Sequence, residues 1–149
     1  MILYIVKHPN DILRAKNEEI SPEFIKTDEF HRLISDMKET MLKRDGVGLA
    51  APQIGKNIQV CLINTEDGVL VLINPKIIKR SFRKSIDEEG CLSIPGVFGK
   101  VKRHKQIKVK TLTLKGEPLE INAEGMFARV IQHEVDHLNG ILFIDKMVK

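Results

Sequence analysis

The segment 131–140, IQHEVDHLNG, sets two histidines four residues apart with a glutamate directly after the first. On a helix, His133 and His137 project from one face, one turn apart. Two imidazoles so placed can hold a divalent metal, and Glu134, offset by one residue, stands beside the ion as a base rather than as a ligand. The bland alternative is a surface helix with two solvated histidines. The surroundings weigh against it. Gln132, His133, Glu134, Asp136 and His137 interrupt an otherwise apolar run, which sets costly polar groups at the edge of a core.

A catalytic ion takes three protein ligands and keeps one position open. Residues 138–149 contain no histidine and a single acid, Asp145, so the third ligand is expected from upstream. His8, His31, His104, Cys91 and many acids are available. His31 falls on a helix and His104 in the basic run Lys102-Arg103-His104-Lys105, and both read as solvated residues. Cys91 is the best candidate: a thiolate suits a borderline-soft ion, and Gly90 before it permits a tight approach of the backbone. One cysteine and two histidines leave a position open for water. With two cysteines in the chain, a structural zinc site built on paired Cys-x-x-Cys motifs is excluded. Cys61, in the apolar run IQVCLI, reads as a small core residue, and a Cys61–Cys91 disulfide is not expected.

The elements that must position these residues can be traced outward. A first helix has two candidate starts, Ser21-Pro22 and Thr27-Asp28. Phe30, Leu33, Ile34, Met37 and Met41 then recur at helical spacing, up to Arg44-Asp45-Gly46. The glycine-rich stretch GVGLAAPQIG reads as a loop. Strands are expected at 58–63, at 69–73 after a turn at Glu66-Asp67-Gly68, and through KIIKR to about Ile86. Residues 106–114 alternate, with Ile107, Val109, Thr111 and Thr113 on one side, and Lys115-Gly116 turns them into 118–122. Asn122 is the expected cap of the last helix and Gly140 its stop. Strands in a run between helices predict an α+β fold, with antiparallel or mixed sheets packed around a C-terminal metal-binding helix and one N-terminal helix.

The 149 residues are read as a single domain, 1–149. Hydrophobic residues make up 42% and charged residues 30%, an ordinary globular balance. No apolar run reaches the length of a membrane span, and no signal or transit segment is visible, so a cytoplasmic protein without membrane contact is expected. The net charge of +4 is mildly basic. The basic run Lys100–Lys105 reads as a solvated strand edge, with contact to RNA phosphates as the other reading.

Taken together, 46-GVGLAAPQIG-55, 90-GCLS-93 within EEGCLSIPG, and 132-QHEVDHLNG-140 closely resemble the three motifs of the peptide deformylases. The order matches, the second motif carries its lone cysteine, and the resemblance covers nearly the whole chain. It implies removal of the N-formyl group from the formyl-methionine that starts nascent polypeptides. It further implies one Fe2+ held by Cys91, His133 and His137, with Zn2+, Ni2+ or Co2+ able to substitute. A metal-bound water would attack the formyl carbon, with Glu134 as general base and then acid. The Gln53 side chain and the Leu92 backbone N–H would hold the oxyanion. Gly48 would pair with the substrate backbone, and Val47, Met126, Val130 and the His133 ring would line the methionine pocket.

Arg129 stands where the family often has an aliphatic residue and is left out of that pocket; Glu89 and Arg103 are a candidate ion pair under the Cys91 loop. Phe98 falls where some members carry an arginine toward the substrate backbone. Transient ribosome contact is a further partner the family implies. Some members use a C-terminal helix for it, and this chain ends soon after the third motif. Two other classes remain to be weighed. A zinc peptidase is disfavoured by Cys91 and by the Gln53 loop. A metal-stabilised binding module is disfavoured by Glu134, since a structural site has no use for an adjacent base.

Overall fold

The computed structural model describes residues 1–149. Both candidate helix starts are used. Ser21 caps a single turn, α1 (Pro22–Ile25), by accepting from the Phe24 N–H. Thr27 caps α2 (Asp28–Lys43) by accepting from the Phe30 N–H. Each cap satisfies one of the backbone donors that a helix start leaves unpaired. The predicted single N-terminal helix is therefore two, because each serine or threonine opens its own turn.

Seven strands follow: β1 (Gly48–Ala50), β2 (Val60–Thr65), β3 (Gly68–Arg80), β4 (Lys84–Cys91), β5 (Ile94–His104), β6 (Gln106–Leu112) and β7 (Pro118–Glu124). The last helix, α3, spans Gly125–Leu138. Five strands form one sheet in the order β1-β2-β3-β6-β7, and β4 and β5 form a separate two-stranded ribbon; every ladder is antiparallel. The fold is α+β, as expected.

The five-stranded sheet is covered on both faces, and the period-2 alternation of a strand decides which side chain goes where. In β2, Val60 and Leu62 pack with Phe30, Ile34, Met37 and Met41 of α2. The intervening Cys61 and Ile63 pack with Ala128, Ile131, Val135 and Leu138 of α3. Cys61 is a buried free thiol, the core residue its sequence setting predicts. A third, smaller cluster of Leu13, Ile94, Val101, Leu142 and Phe143 lies under the ribbon.

Several expectations need correction. The stretch 69–80 is one long strand, with Asn74 at positive φ between its halves. The Asn74 side chain accepts from the Ile20 N–H and donates to the Ile20 carbonyl, so a distant segment stabilises the irregularity. Asn122 caps nothing: it lies inside β7 opposite Lys108, and α3 starts at Gly125 after Glu124. The strand continues two residues further than its apolar pattern, because pairing with β6 persists to Gln106 opposite Glu124. The loop at 46–55 contains β1 and a 3-10 turn (Ala51–Ile54), and Cys91 ends a strand rather than sitting in a loop.

Gly140 stops α3 as expected. Its N–H donates to the His137 carbonyl, and the Ile141 N–H donates to the Asp136 carbonyl, the paired bonds of a Schellman turn. Its φ is +75°, and an added Cβ would collide with the Arg14 carbonyl oxygen. Gly140→Ala is expected to cost at least about 1–2 kcal/mol from the left-handed backbone alone. Urea unfolding measures it, and an unchanged midpoint would contradict this account of the helix end.

Candidate active site

Cys91 at the end of β4 and His133 and His137 on α3 bring their ligating atoms within 4.8 Å of one another. They form the one such group of His, Cys, Asp and Glu in the structure, so His8, His31 and His104 stand apart from it. Cys91 Sγ is 3.3 Å from His137 Nε2. Spacing on α3 accounts for the histidines. The cysteine arrives because the hairpin joining β4 to β5 turns back directly beneath the helix, with Cys91 paired to Ile94.

His133 is aimed by its other nitrogen. Its Nδ1–H donates to Glu89 Oε1 at 3.0 Å, which leaves Nε2 facing the cluster. Glu89 is in turn gripped by Arg103, with Nε and Nη2 donating at 3.0 and 2.9 Å, and by Arg129 at 2.7 Å. Burial opposes ionisation of Glu89, but the His133 and Arg103 contacts outweigh it and hold its carboxyl well below the usual range. The expected Glu89–Arg103 pair is thus present, and it is larger than expected. Arg103 also donates to Asp136, and Arg129 donates to the Val101 and Ser85 carbonyls and to Ser85 Oγ.

Arg129, left out of the methionine pocket by the sequence reading, has a part in the Glu89 network that the same reading missed. It lines the cleft, yet its guanidinium turns away to the ribbon. The signal was present as an arginine inside an apolar helix run, since a buried guanidinium requires a carboxylate or several carbonyls to face it.

Burial dominates the remaining electrostatics. Burial pushes Glu134 up to about 7, against the lowering influence of His133 and Arg103. Burial, with the charges of His133 and Arg103, drives His137 well below its usual value, so its imidazole is neutral. Burial disfavours charge on His133, but Glu134, Cys91 and Glu89 prevail and push it up to about 10. A cation binding there exchanges for that proton. Glu134 Oε1 and His137 Nδ1 are buried with no hydrogen-bond partner in the protein. Unsatisfied polar atoms beside a sulfur and two imidazoles fit a site that takes a divalent ion and water.

Gln53 is buried, and its amide is oriented by contacts at both ends. Oε1 accepts from the Ala50 N–H at 2.9 Å, while Nε2 donates to Ser93 Oγ at 3.2 Å and lies 3.5 Å from Cys91 Sγ. Leu92 follows Cys91 in the hairpin turn and borders the same cleft. The cleft holds about 410 Å³ and is bordered by Val47, Gly48, Met126, Val130, His133 and Glu134, which the sequence reading grouped together. Val47 and Met126 are exposed at its rim, whereas Val130 is buried in its wall. Phe98 also faces the cleft and packs over Gly90, where a Cβ would come within 2.7 Å of its ring. Gly48 has the tightest requirement: a Cβ there would lie 2.5 Å from Glu134 Oε2 and 2.8 Å from its Cγ.

Residues 2–149 match the family model described as polypeptide deformylase. Peptide deformylase 1 of Bacillus cereus is 44% identical over 150 residues, covering 99% of this chain and 94% of that protein. The peptide deformylase of Halothermothrix orenii is 47% identical, with 99% and 95% covered. Among solved structures, the peptide deformylase of Thermotoga maritima superposes with a TM-score of 0.96 at 38% identity, over 100% of this chain and 99% of that one. An actinonin-bound class I type b peptide deformylase of Acinetobacter baumannii gives 0.95 at 40% identity, with 99% of both chains covered. Matched from its second residue to its last, and with these relatives along its whole length, the chain belongs to the polypeptide deformylase family of hydrolases.

Proposed function

We propose that residues 1–149 act as one catalytic domain that removes the formyl group from N-formylmethionyl peptides. The observation that carries this reading is the convergence of Cys91, His133, Glu134 and Gln53 on one cleft with an apolar rim, with His137 buried against Cys91. Cys91 Sγ and one nitrogen each of His133 and His137 would hold Fe2+, with Zn2+, Ni2+ or Co2+ as substitutes; thiolate and imidazole donors suit all of these ions. When bound, the ion supplies Lewis acidity and a strong nucleophile near neutral pH.

The protein groups do the rest. The formyl-methionine enters with its backbone along β1 at Gly48, as an added strand. Its side chain lies among Val47, Met126, Val130 and the His133 ring. Glu134 takes the proton from the attacking water and returns it to the departing amine nitrogen, a role worth about 10²–10⁴ in rate. As the carbonyl oxygen gains charge, Gln53 Nε2–H and the Leu92 N–H donate to it; one such donor is typically worth about 10²–10³ in kcat. The fixed Gln53 amide supports this part, because Ala50 holds its oxygen and so turns its nitrogen toward Cys91. A metal-stabilised binding module would have no use for a buried, unpartnered carboxylate oxygen at this place.

Formate release from a formyl-Met-Ala peptide by protein loaded anaerobically with Fe2+ tests the reading. Cys91→Ala should lose both metal and turnover. Glu134→Gln should keep about one equivalent of metal while turnover falls by about 10²–10⁴. Undiminished turnover in that variant would overturn the proposed role of Glu134.

Gly48→Ala should leave secondary structure by circular dichroism intact but lower kcat/KM by at least about tenfold, since the methyl group forces Glu134 to move. A wild-type value would show that β1 does not set the Glu134 position.

Glu89→Gln should weaken metal affinity by about 10–100-fold, measured by competition with a chelator. It should also lower stability by about 3–5 kcal/mol, because two arginines lose their buried counter-charge. A variant with unchanged metal affinity would contradict the claim that Glu89 aims His133.

A further inference from the structure

The turn between β3 and β4 presents a phenylalanine to solvent. Phe82 is 100% exposed, in the sequence Arg80-Ser81-Phe82-Arg83-Lys84. The turn is held firmly against the β5–β6 junction. The Ser81 N–H donates to the Gln106 carbonyl at 2.9 Å, and the Lys105 N–H to the Arg83 carbonyl at 3.0 Å. The Gln106 N–H donates to Ser81 Oγ at 3.0 Å, Ser81 Oγ donates to the Arg83 carbonyl at 2.8 Å, and His104 Nδ1–H donates to the Ser81 carbonyl at 2.7 Å. So many bonds hold an aromatic ring outward where it touches no core.

Cations surround it. Arg80, Arg83, Lys84, Lys102 and Lys105 are all exposed. None of the five pairs with an acid, whereas Lys76, Lys108 and Lys146 pair with Glu19, Glu120 and Asp136. Ribbon register explains the clustering: Lys84 lies opposite His104 and Ile86 opposite Lys102, so Lys84 and Lys102 share the outer face. Arg80, Lys84, Lys102 and His104 border a surface hollow of about 360 Å³, together with Asp136, which is paired with Arg103 and Lys146. Glu124 is the acid beside Arg80 in the adjoining hollow, and it faces Gln106 at 3.4 Å.

We propose that Phe82 and these five cations form a binding surface for single-stranded RNA. An exposed ring stacks on any base, and a belt of cations tracks the phosphates. Both features are present, and the bond pattern lowers the ordering cost of the turn. The surface itself does not depend on the deformylase reading, but the choice of RNA rests on it, since nascent peptides are made beside RNA. The far end of the ribbon lies about 23 Å from Cys91, at ~3.3 Å per residue, so RNA held there leaves the cleft open.

Fluorescence anisotropy of a labelled 20-mer oligouridine with the Fe2+- or Ni2+-loaded full chain tests the proposal, over a series of KCl concentrations. Binding in the micromolar range at low salt is expected. Phe82→Ala should raise Kd at least about fivefold. The triple variant Arg83→Gln, Lys84→Gln, Lys105→Gln should lower the magnitude of the log Kd against log salt slope by about 2. A control triple of equal charge change on the α1–α2 side, Lys26→Gln, Arg32→Gln, Lys43→Gln, should change neither by as much. Formate release, measured in parallel, should be unaffected in every variant, which separates failure of this proposal from failure of the deformylase reading. The proposal is overturned by no binding at 100 μM protein, by equal losses in the two triples, or by displacement of the RNA by polyglutamate as effective as by unlabelled RNA. Preference for oligothymidine over oligouridine would overturn the choice of RNA.

Discussion

A single buried carboxylate joins the two halves of the site. Glu89 sits on the ribbon, but the groups that face it come from both sides: Arg103 from β5, and Arg129 and His133 from α3. A lone carboxylate taken out of water is costly; Arg103 offsets part of that cost within the ribbon, and Arg129 and His133 complete it when ribbon and helix are docked. Docking then sets the remaining geometry. It places Cys91, two residues beyond Glu89, against His137, and it turns the second nitrogen of His133 toward the same point. Arg129 adds three further bonds to Val101 and Ser85, so both strands of the ribbon are tied to one turn of α3.

The opposite wall of the cleft depends on absence rather than contact. β1 passes over Glu134 so closely that only a hydrogen fits at Gly48. The same strand pairs with β2 through Gly48 opposite Ile63 and Ala50 opposite Cys61, so the sheet holds it in register. Ala50 continues the path by donating to Gln53. Three short stretches of backbone therefore present a carboxylate, an amide and a strand edge to one cavity. Little side-chain freedom remains to be lost when a ligand enters, which is what an efficient site requires.

Charge is distributed along the ribbon in an ordered way. Its inner face carries Glu89 and Arg103, matched and buried. At the end near Cys91, Val97 and Phe98 give an exposed apolar rim. At the other end, beyond Ile86 and Lys102, cations gather without partners. Period-2 alternation lets one hairpin serve the core, a cleft and a charged surface at once.

Much of the geometry of the candidate site could be read from one sequence because it is local. His133, Glu134 and His137 are set by helical spacing alone, and Gly140 by the left-handed residue a helix end needs. The three motifs point to the family for the same reason: each is a short run whose residues act side by side. The ladder of β6 and β7 followed from alternation and the Lys115-Gly116 turn signal, although the connection itself runs from Thr113 to Glu117. What sequence could not reveal was non-local. Of β5 only the end was legible, as a strand edge at Lys100–Lys105: the four successive exposed residues Pro95 to Phe98 break the alternation that Val101 and Arg103 show further on. The part Arg129 plays was not legible because its partners, Glu89 and Ser85, lie forty or more residues away in another element. Asn122 looked like a cap because capping chemistry is local, but pairing with Lys108 across the hairpin kept it in a strand. That Cys91 meets the histidines was inferred by weighing ligands. Its cause is tertiary: the ribbon docks beneath α3, where the buried Glu89, two residues before the cysteine, adds Arg129 and His133 to its Arg103 partner.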